Sequence, residues 1–169
     1  GGAAGSLRFA VVQPNVPQDN RIGWTNEQQV RDFERFAQLT IAAAAREPDL
    51  VVWPETMAPG RALDPVSLRA ERAEDLVWTL ELEGHGQVEL GTTALIEQLL
   101  VLQETIGVPM LVGAEGFDGL RFVEREDGLF APESDAHYNS AFILTGGRAQ
   151  EPWYSKIKLT PFGEVMPYI

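Results

Sequence analysis

The stretch that decides the fold is LVVWPE, residues 50–55. Leu50 to Trp53 is a short, continuously apolar run that meets Pro54 and Glu55, which is typical of a buried strand and the turn that ends it. An earlier apolar run, LRFAVV at residues 7–12, also ends at a proline-containing turn. Both runs therefore predict core strands of a sheet.

A helix is predicted between these two strands. Thr25 stands three residues before Gln28, which is the spacing of a capping box. Apolar residues then recur at helical spacing from Val30 to Ala44, and Pro48 ends the pattern. Strand, helix and strand in this order, with both strands continuously apolar, predict an α/β fold whose sheet is covered on both faces.

Similar signals predict the remaining elements and the domain organisation. They predict an acidic helix over about 67–82, a helix from Thr92 or Thr93 to Gly107, a strand over 109–112, a hairpin through 120–123, and strands over 138–144 and 153–159. Residues 57–92 contain several Pro and Gly breakers, and we interpret them as an insertion between core elements. Residues 1–6 are interpreted as a linker or an expression remnant, which leaves one domain over 7–169.

The composition narrows the function classes. Of the 169 residues, 44% are hydrophobic and 22% are charged, as in an ordinary globular domain. The net charge of −12 disfavours nucleic acid and an anionic membrane surface as direct partners. The sequence has no cysteine, and its two histidines are not at a metal-ligand spacing. It therefore predicts no disulfide, no metal site and no cysteine nucleophile within these residues.

Three charged residues stand at strand ends or in turns that prolines fix. Glu55 follows the second core strand, Lys156 ends WYSK (153–156), and Glu164 follows the PFG turn (161–163). Ligands bind at the carboxyl ends of strands in open α/β sheets, and a partly desolvated Glu55 there can act as a general base. If Glu55 and Glu164 both approach Lys156, it is expected to stay an ammonium that stabilises an oxyanion. The simpler interpretation is that Lys156 and Glu164 are solvated surface charges and that Glu55 is a helix-initiating or loop carboxylate.

Four blocks of the sequence resemble one family. They are QPNVPQ (13–18), VVWPET (51–56), YNSAFIL (138–144) and YSKIKLTPFGEVMPY (154–168). These blocks resemble the nitrilase or carbon-nitrogen hydrolase superfamily, and within it the periplasmic domain of the apolipoprotein N-acyltransferase family, for which the last block discriminates best. The resemblance covers 7–169 apart from 57–92 and a polar stretch at 114–137. It implies an α/β fold of the nitrilase-like α-β-β-α sandwich type, of which this chain is the N-terminal portion.

The resemblance implies a role for each candidate residue. Glu55 matches the general base, Lys156 matches the lysine that stabilises the tetrahedral intermediate, and Glu164 matches a second carboxylate that positions the site. Asn139 and Ser140 belong to a strand motif and are expected to be structural. The cysteine nucleophile of the family is expected downstream of this sequence, so the domain is expected to be incomplete and inactive alone.

The resemblance also implies a reaction and its location. In a ping-pong acyl transfer, a cysteine thiolate takes a fatty acyl chain from a phospholipid, and the N-terminal cysteine amine of an apolipoprotein accepts it. The expected location is the bacterial inner membrane, with the domain facing the periplasm and attached through segments outside this sequence. No cofactor is implied.

Two other functions are open on the sequence. One is a soluble carbon-nitrogen hydrolase, an amidase or nitrilase, that acts on small substrates. Upstream transmembrane helices and hydrophobic lid residues would favour the acyltransferase over this hydrolase. The other is a non-catalytic nitrilase-like binding module, which would tolerate alanine at Glu55 or Lys156.

Overall fold

The computed structural model describes residues 5–15, 25–55, 57–82, 84, 86–126, 128 and 130–156. Within these ranges, helices and strands follow one another along the chain in the order β1 (Phe9–Val11), α1 (Asn26–Ala44), β2 (Leu50–Val52), α2 (Pro65–Ala73), β3 (Val77–Leu82), β4 (Gly86–Gly91), α3 (Ala94–Ile106), β5 (Met110–Asp118), β6 (Arg121–Glu124), β7 (Phe130–Glu133), β8 (Ala136–Thr145), β9 (Arg148–Ala149) and β10 (Tyr154–Ser155). The α/β class predicted from the sequence is confirmed. None of the helices in these ranges is both long and apolar enough to cross a membrane.

A mixed sheet forms the centre of the fold. Its strand order is β1-β2-β5-β8-β10, and β9 pairs with β8. Strands β1, β2 and β5 are parallel, β8 is antiparallel to β5, and β10 is antiparallel to β8. Strand β10 therefore runs in the same direction as β2. As a result, the carboxyl ends of β2 and β10 lie at the same edge of the sheet.

One face of this sheet carries the core. Side chains from alternate positions of β2, β5 and β8 are buried there, among them Val51, Met110, Val112, Phe142 and Leu144. They cluster with buried residues of α1 and α3, such as Phe36 and Leu99. Helices α1 and α3 pack on this face because their apolar residues recur at helical spacing and so form one apolar side of each helix.

The opposite face of the sheet is not covered by the described residues. The apolar side chains exposed on it are Phe9 (64%), Val11 (59%), Ile143 (39%) and Tyr154 (62%). The ladder registers put these residues on the face opposite Val51 and Phe142, because successive side chains of a strand point to opposite faces. The prediction of a sheet covered on both faces is therefore met on one face only within the described part of the chain.

The predicted helix starts and stops are largely confirmed. Thr25 caps α1, its Oγ1 accepts from the Gln28 amide at 3.3 Å, and Gln28 Oε1 accepts from the Thr25 amide at 3.0 Å. Gly107 ends α3 at a φ of 68°, a left-handed conformation that favours glycine. Thr93 precedes α3 without a side-chain cap, because its hydroxyl donates to Glu97 instead.

The predicted acidic helix over 67–82 is wrong in its second half. Asp64 caps α2, which ends at Ala73, and the following residues pair as the β3–β4 hairpin. Trp78, Leu80 and Leu82 are less exposed than the residues between them, which is the two-residue alternation of a strand. The residues of 57–92 also enter the core, for example Leu68. The interpretation of 57–92 as an insertion stays a prediction.

The other strand predictions differ mainly in their bounds. The strand predicted over 109–112 extends to Asp118 as β5, and the hairpin through 120–123 is confirmed as β6–β7. Two strands that follow β8 in the chain pair with it. The first is the two-residue β9, and the second is β10. Residues beyond 156 lie outside the described part, so the end of the strand predicted over 153–159 is not tested.

Candidate active site

Glu55 and Lys156 lie in contact although 101 residues separate them in sequence. Lys156 Nζ donates to Glu55 Oε1 at 3.2 Å. The contact follows from the sheet, because Glu55 comes after β2, Lys156 comes after β10, and these strands end at the same edge. The Lys156 side chain is 27% exposed and that of Glu55 is 58% exposed. Glu55 is thus more open to solvent than the partly desolvated carboxylate expected from the sequence.

Backbone hydrogen bonds to β5 fix the chain on both sides of Glu55. Before it, the amide of Trp53 donates to a β5 carbonyl at 2.8 Å. After it, the amides of Met57 and Ala58 both donate to the carbonyl of Gly113, at 3.0 and 3.1 Å. The turn that carries Glu55 is therefore tied to the neighbouring strand at two points, which restricts where the carboxylate can reach.

The side chain of Trp53 ties the same turn to α1. Its indole Nε1 donates to Thr40 Oγ1 at 2.8 Å, and both residues are buried. The indole also contacts Phe36 and Phe33, with ring centroids 4.6 and 6.5 Å away. A buried indole that has its hydrogen-bond partner and aromatic neighbours is a rigid anchor.

Contacts between β8 and β10 hold the backbone of Lys156. Its amide donates to the Asn139 carbonyl at 2.8 Å. One residue earlier, the hydroxyls of Ser155 and Ser140 lie 3.1 Å apart and share a hydrogen bond. Ser140 is 5% exposed and packs against Gly116, where a Cβ atom would lie 2.5 Å from Ser140 Oγ. Gly116 therefore leaves the room that the Ser140–Ser155 pair needs.

A cavity of about 370 Å³ opens beside the ion pair on the uncovered face of the sheet. It is lined by Glu55 and Lys156 together with Leu111, Gly113, Asn139, Ala141 and Tyr154. The cavity thus combines apolar walls with one carboxylate and one lysine, an arrangement that suits a ligand with an apolar part and a reactive polar group. Across the described ranges, no three His, Asp or Glu side chains group as metal ligands would.

The third predicted site residue, Glu164, lies outside the described residues, and its role stays a prediction. A further pair was missed by the sequence interpretation. Glu115 Oε1 and His137 Nε2 lie 3.5 Å apart on β5 and β8, next to the cavity. The pair is hard to find in sequence, because its two residues meet only through the strand register. One sequence signal points to the pair. Glu115 is two residues from Gly113, and His137 is two residues from Asn139, so each lies on the same face of its strand as a residue that lines the cavity.

Comparison with known proteins shows a relation to one enzyme family. No protein-family model matches the chain. Over 162 residues the chain is 30% identical to an apolipoprotein N-acyltransferase of Aquifex aeolicus. This match covers 96% of this chain and 26% of the relative. It is 27% identical over 167 residues to apolipoprotein N-acyltransferases of Brucella suis and Brucella melitensis, covering 97% of this chain and 24% of each relative. The chain thus spans about a quarter of the length of the curated relatives it matches. The predicted resemblance is confirmed: the chain is related in sequence to a segment of these enzymes.

Proposed function

We propose that this chain is the nitrilase-like part of an N-acyltransferase, which moves a fatty acyl chain from a phospholipid to the N-terminal cysteine amine of an apolipoprotein. The sequence relation to apolipoprotein N-acyltransferases supports the family. The observation that carries the assignment of the site is the 3.2 Å contact between Lys156 and Glu55 at one end of the sheet. The reaction is a ping-pong transfer through a cysteine thioester, and the cysteine comes from outside this chain.

Each residue of the pair has a role in this reaction. Glu55 accepts the proton of the cysteine thiol, so that the thiolate attacks the acyl ester of the phospholipid. The ester C–O bond then breaks, and Glu55 returns the proton to the lysophospholipid alcohol that leaves. Lys156 is proposed to act as the ammonium in contact with Glu55. An ammonium has three N–H donors, so Lys156 can donate to Glu55 and also to the oxyanion of the tetrahedral intermediate. Glu164 is proposed as the second carboxylate that positions the lysine.

The cavity fits the acyl end of the donor. Its walls at Leu111, Ala141 and Tyr154 are apolar, and Glu55 with Lys156 lies at its rim. An acyl chain that packs on these walls would bring its carbonyl carbon to the rim, where charge develops during the attack. The proposed location is the inner membrane, with this domain on the periplasmic side, and the membrane contact is made by segments outside this chain.

The uncovered face of the sheet supports a sandwich architecture. A monomeric globular protein rarely leaves a continuous apolar face open, and Phe9, Val11 and Ile143 form such a face outside the cavity. In an α-β-β-α sandwich a second sheet of the same protein packs on this face, about 10 Å away. We therefore include the nitrilase-like sandwich in the proposal, with the second sheet as the occupant of the face.

The test uses the full-length protein that carries this chain, with a radiolabelled phospholipid. Formation of the labelled acyl-enzyme and transfer to a lipid-modified peptide with a free N-terminal amine are measured separately. Glu55→Gln is expected to slow acyl-enzyme formation roughly 10²–10⁴-fold. Lys156→Met is expected to slow it roughly 10²–10³-fold, because an oxyanion donor is lost.

A matched control is available in the β6–β7 hairpin. Glu133 and Arg121 also form an ion pair at 3.2 Å, and their side chains are 53% and 52% exposed. Glu133→Gln removes the same charge from a similar pair and is expected to leave the rate unchanged. Hydrolysis of small amides without acyl transfer would identify a carbon-nitrogen hydrolase instead. A wild-type protein that forms no acyl-enzyme and hydrolyses no amide would be a binding module.

A further inference from the structure

On the uncovered face of the sheet, apolar side chains give way to polar ones near Glu55 and Lys156. Along β5 and β8 it begins with apolar side chains, including Leu111 and Ile143, and ends with Glu115, Phe117 and His137. The ladder pairs Phe117 with His137 and Glu115 with Asn139, so these residues occupy one face. A polar group therefore lies on this face at the same end of the sheet as Glu55 and Lys156.

The register gives the distance of Glu115 from the site. Glu115 pairs with Asn139 across the ladder, and the Asn139 carbonyl accepts from the Lys156 amide at 2.8 Å. Two strand spacings therefore separate the backbones of Glu115 and Lys156, about 10 Å. Along β5, Glu115 is two residues past Gly113, a cavity-lining residue, which is about 7 Å. Glu115 thus stands just beyond the residues that line the cavity.

The Glu115–His137 pair is held in place by its neighbours. The imidazole of His137 stacks on Phe117 with the ring centroids 4.9 Å apart and the planes 6° from parallel. From this position Nε2 of His137 faces Glu115 Oε1 at 3.5 Å. The Glu115 side chain is 39% exposed and that of His137 is 51% exposed. The carboxylate can accept further hydrogen bonds, because its two oxygens together offer about four acceptor positions.

The Glu115–His137 pair has no role in the acyl-donor half of the proposed reaction. Glu55 and Lys156 supply the base and the oxyanion donor, so acyl-enzyme formation needs no carboxylate from β5. A half-exposed carboxylate is instead suited to an alkylammonium ion, with which it forms charge-assisted hydrogen bonds. The acceptor of the proposed transfer carries such a group, the N-terminal ammonium that becomes the attacking amine.

We propose that Glu115, positioned by His137 and Phe117, binds the N-terminal ammonium of the acceptor beside the cavity. This inference rests on the proposed acyltransferase function, since it assigns the acceptor subsite of the same reaction. Glu115 attracts the acceptor and holds its ammonium beside the cavity until the ammonium loses one proton to water. The free amine then attacks the thioester carbonyl, the C–S bond breaks, and Glu55 takes the second amine proton.

The experiment separates the two half-reactions in the full-length protein. Glu115→Gln is expected to leave acyl-enzyme formation from the labelled phospholipid unchanged. It is expected to raise the KM for the lipid-modified peptide amine roughly tenfold at unchanged kcat, the effect of losing one charge-assisted hydrogen bond in a half-exposed site. Glu115→Asp is expected to restore most of the affinity. His137→Gln is expected to raise the same KM by a smaller factor.

Two controls isolate the charge of Glu115. Glu124→Gln removes an exposed carboxylate from β6 and is expected to change neither half-reaction. A second acceptor with a hydroxyl in place of the amine carries no positive charge, so its KM is expected to be the same for the wild type and Glu115→Gln. Different results would contradict the acyltransferase function and the acceptor site at Glu115. A wild-type protein that forms no acyl-enzyme contradicts the acyltransferase function.

The inference about Glu115 is overturned by a different set of results. If the wild type forms the acyl-enzyme and Glu115→Gln leaves the KM for the amine unchanged, the acceptor does not bind there. If the variant slows acyl-enzyme formation as much as transfer, Glu115 supports the fold or the donor step instead. If the KM for the hydroxyl acceptor rises as much as that for the amine, the effect comes from shape and not from charge.

Discussion

The indole of Trp53 donates a 2.8 Å hydrogen bond to the hydroxyl of Thr40, which joins the end of β2 to the C-terminal part of α1. Thr40 is fully buried and Trp53 is 2% exposed, so neither group has water as an alternative partner. Glu55 follows Trp53 by two residues. The position of this carboxylate therefore depends on a contact in the core as well as on the turn itself.

Replacement of Thr40 by valine tests this anchor. Valine keeps the shape of threonine but leaves the buried indole N–H without its acceptor, which is expected to lower the free energy of unfolding by about 1–3 kcal/mol. Urea denaturation measures the change. Thr105→Val is the matched control, because the Thr105 hydroxyl donates to the Val101 carbonyl at an exposed position of α3. The control is expected to stay within about 0.5 kcal/mol of the wild type, and equal losses in the two variants would argue against the anchor.

Much of the fold was predictable because local signals agreed with the final structure. The capping box at Thr25 and the glycine at 107 fixed the ends of two helices through contacts within a few residues. The 67–82 segment was mispredicted because its acidic residues favoured a helix, whereas Trp78, Leu80 and Leu82 alternate and pack as a strand. Burial of this alternating face outweighed helix propensity.

Residues of the candidate site were predictable from the sequence only where a charged residue closely follows a strand. Glu55 and Lys156 each follow a strand, so the sequence named both as candidates, and the strand order brings their side chains into contact. The Glu115–His137 pair lies within two strands and forms only because the β5–β8 register sets Phe117 opposite His137. A strand register depends on pairing between residues far apart in the chain, so it is hard to predict from local sequence patterns.

Gly116→Ala is expected to disturb the strand pair that carries Lys156. The added Cβ would lie 2.5 Å from Ser140 Oγ and 3.2 Å from Ser140 Cβ, so Ser140 must shift, which disturbs its hydrogen bond with Ser155. We expect a loss of about 1–3 kcal/mol in the free energy of unfolding, as for other overpacked positions. Adding Ser140→Ala removes the Oγ contact and is expected to recover part of the loss, as thermal or urea denaturation would report.

Gly91→Ala is the matched control for this substitution. Gly91 also lies in a strand, but a Cβ atom there meets nothing within 4 Å. Alanine at this position is expected to be neutral or slightly stabilising, because it reduces the freedom of the unfolded chain. If both alanine variants lose the same stability, the close approach of Gly116 to Ser140 is not the cause.

Leu80→Ala tests whether the β3–β4 hairpin is part of the core. Leu80 is 1% exposed, and its truncation leaves a cavity between the hairpin and the helices. The expected loss in the free energy of unfolding is about 2–5 kcal/mol. Val77→Ala on the same strand is the control, because Val77 is 54% exposed, and the expected loss is below about 1 kcal/mol. Similar small losses for both would mean that the hairpin is only loosely attached.

The Arg72–Glu97 pair predicts a pH-dependent part of the stability. Arg72 Nε donates to Glu97 Oε1 at 2.8 Å, and this hydrogen bond lowers the pKa of Glu97 below its usual value. A carboxyl whose pKa is lowered by folding stabilises the fold above its unfolded pKa, and this contribution is lost as the pH falls through the folded pKa. Arg72→Met is therefore expected to lose less than about 1 kcal/mol at pH 7, since both side chains are over 40% exposed. Its difference from the wild type should shrink as the pH falls through the lowered pKa of Glu97 and vanish below it. Arg69→Met on the same helix is expected to show no such pH dependence, and a pH-independent difference for Arg72→Met would refute the assignment.

Ile143→Lys tests whether a second sheet covers the open face in the full-length protein. Ile143 points away from the helices and is 39% exposed in the described part of the chain. If the face stays open, lysine there is expected to change the stability by less than about 0.5 kcal/mol. If a second sheet packs on it, a lysine is forced between two apolar layers, and the expected loss is about 3 kcal/mol or more. Val101→Lys is the control, because Val101 is 61% exposed on α3, on the helical side of the sheet. Urea denaturation of the full-length protein is expected to show the large loss for Ile143→Lys alone, and a loss as small as that of the control would contradict the sandwich.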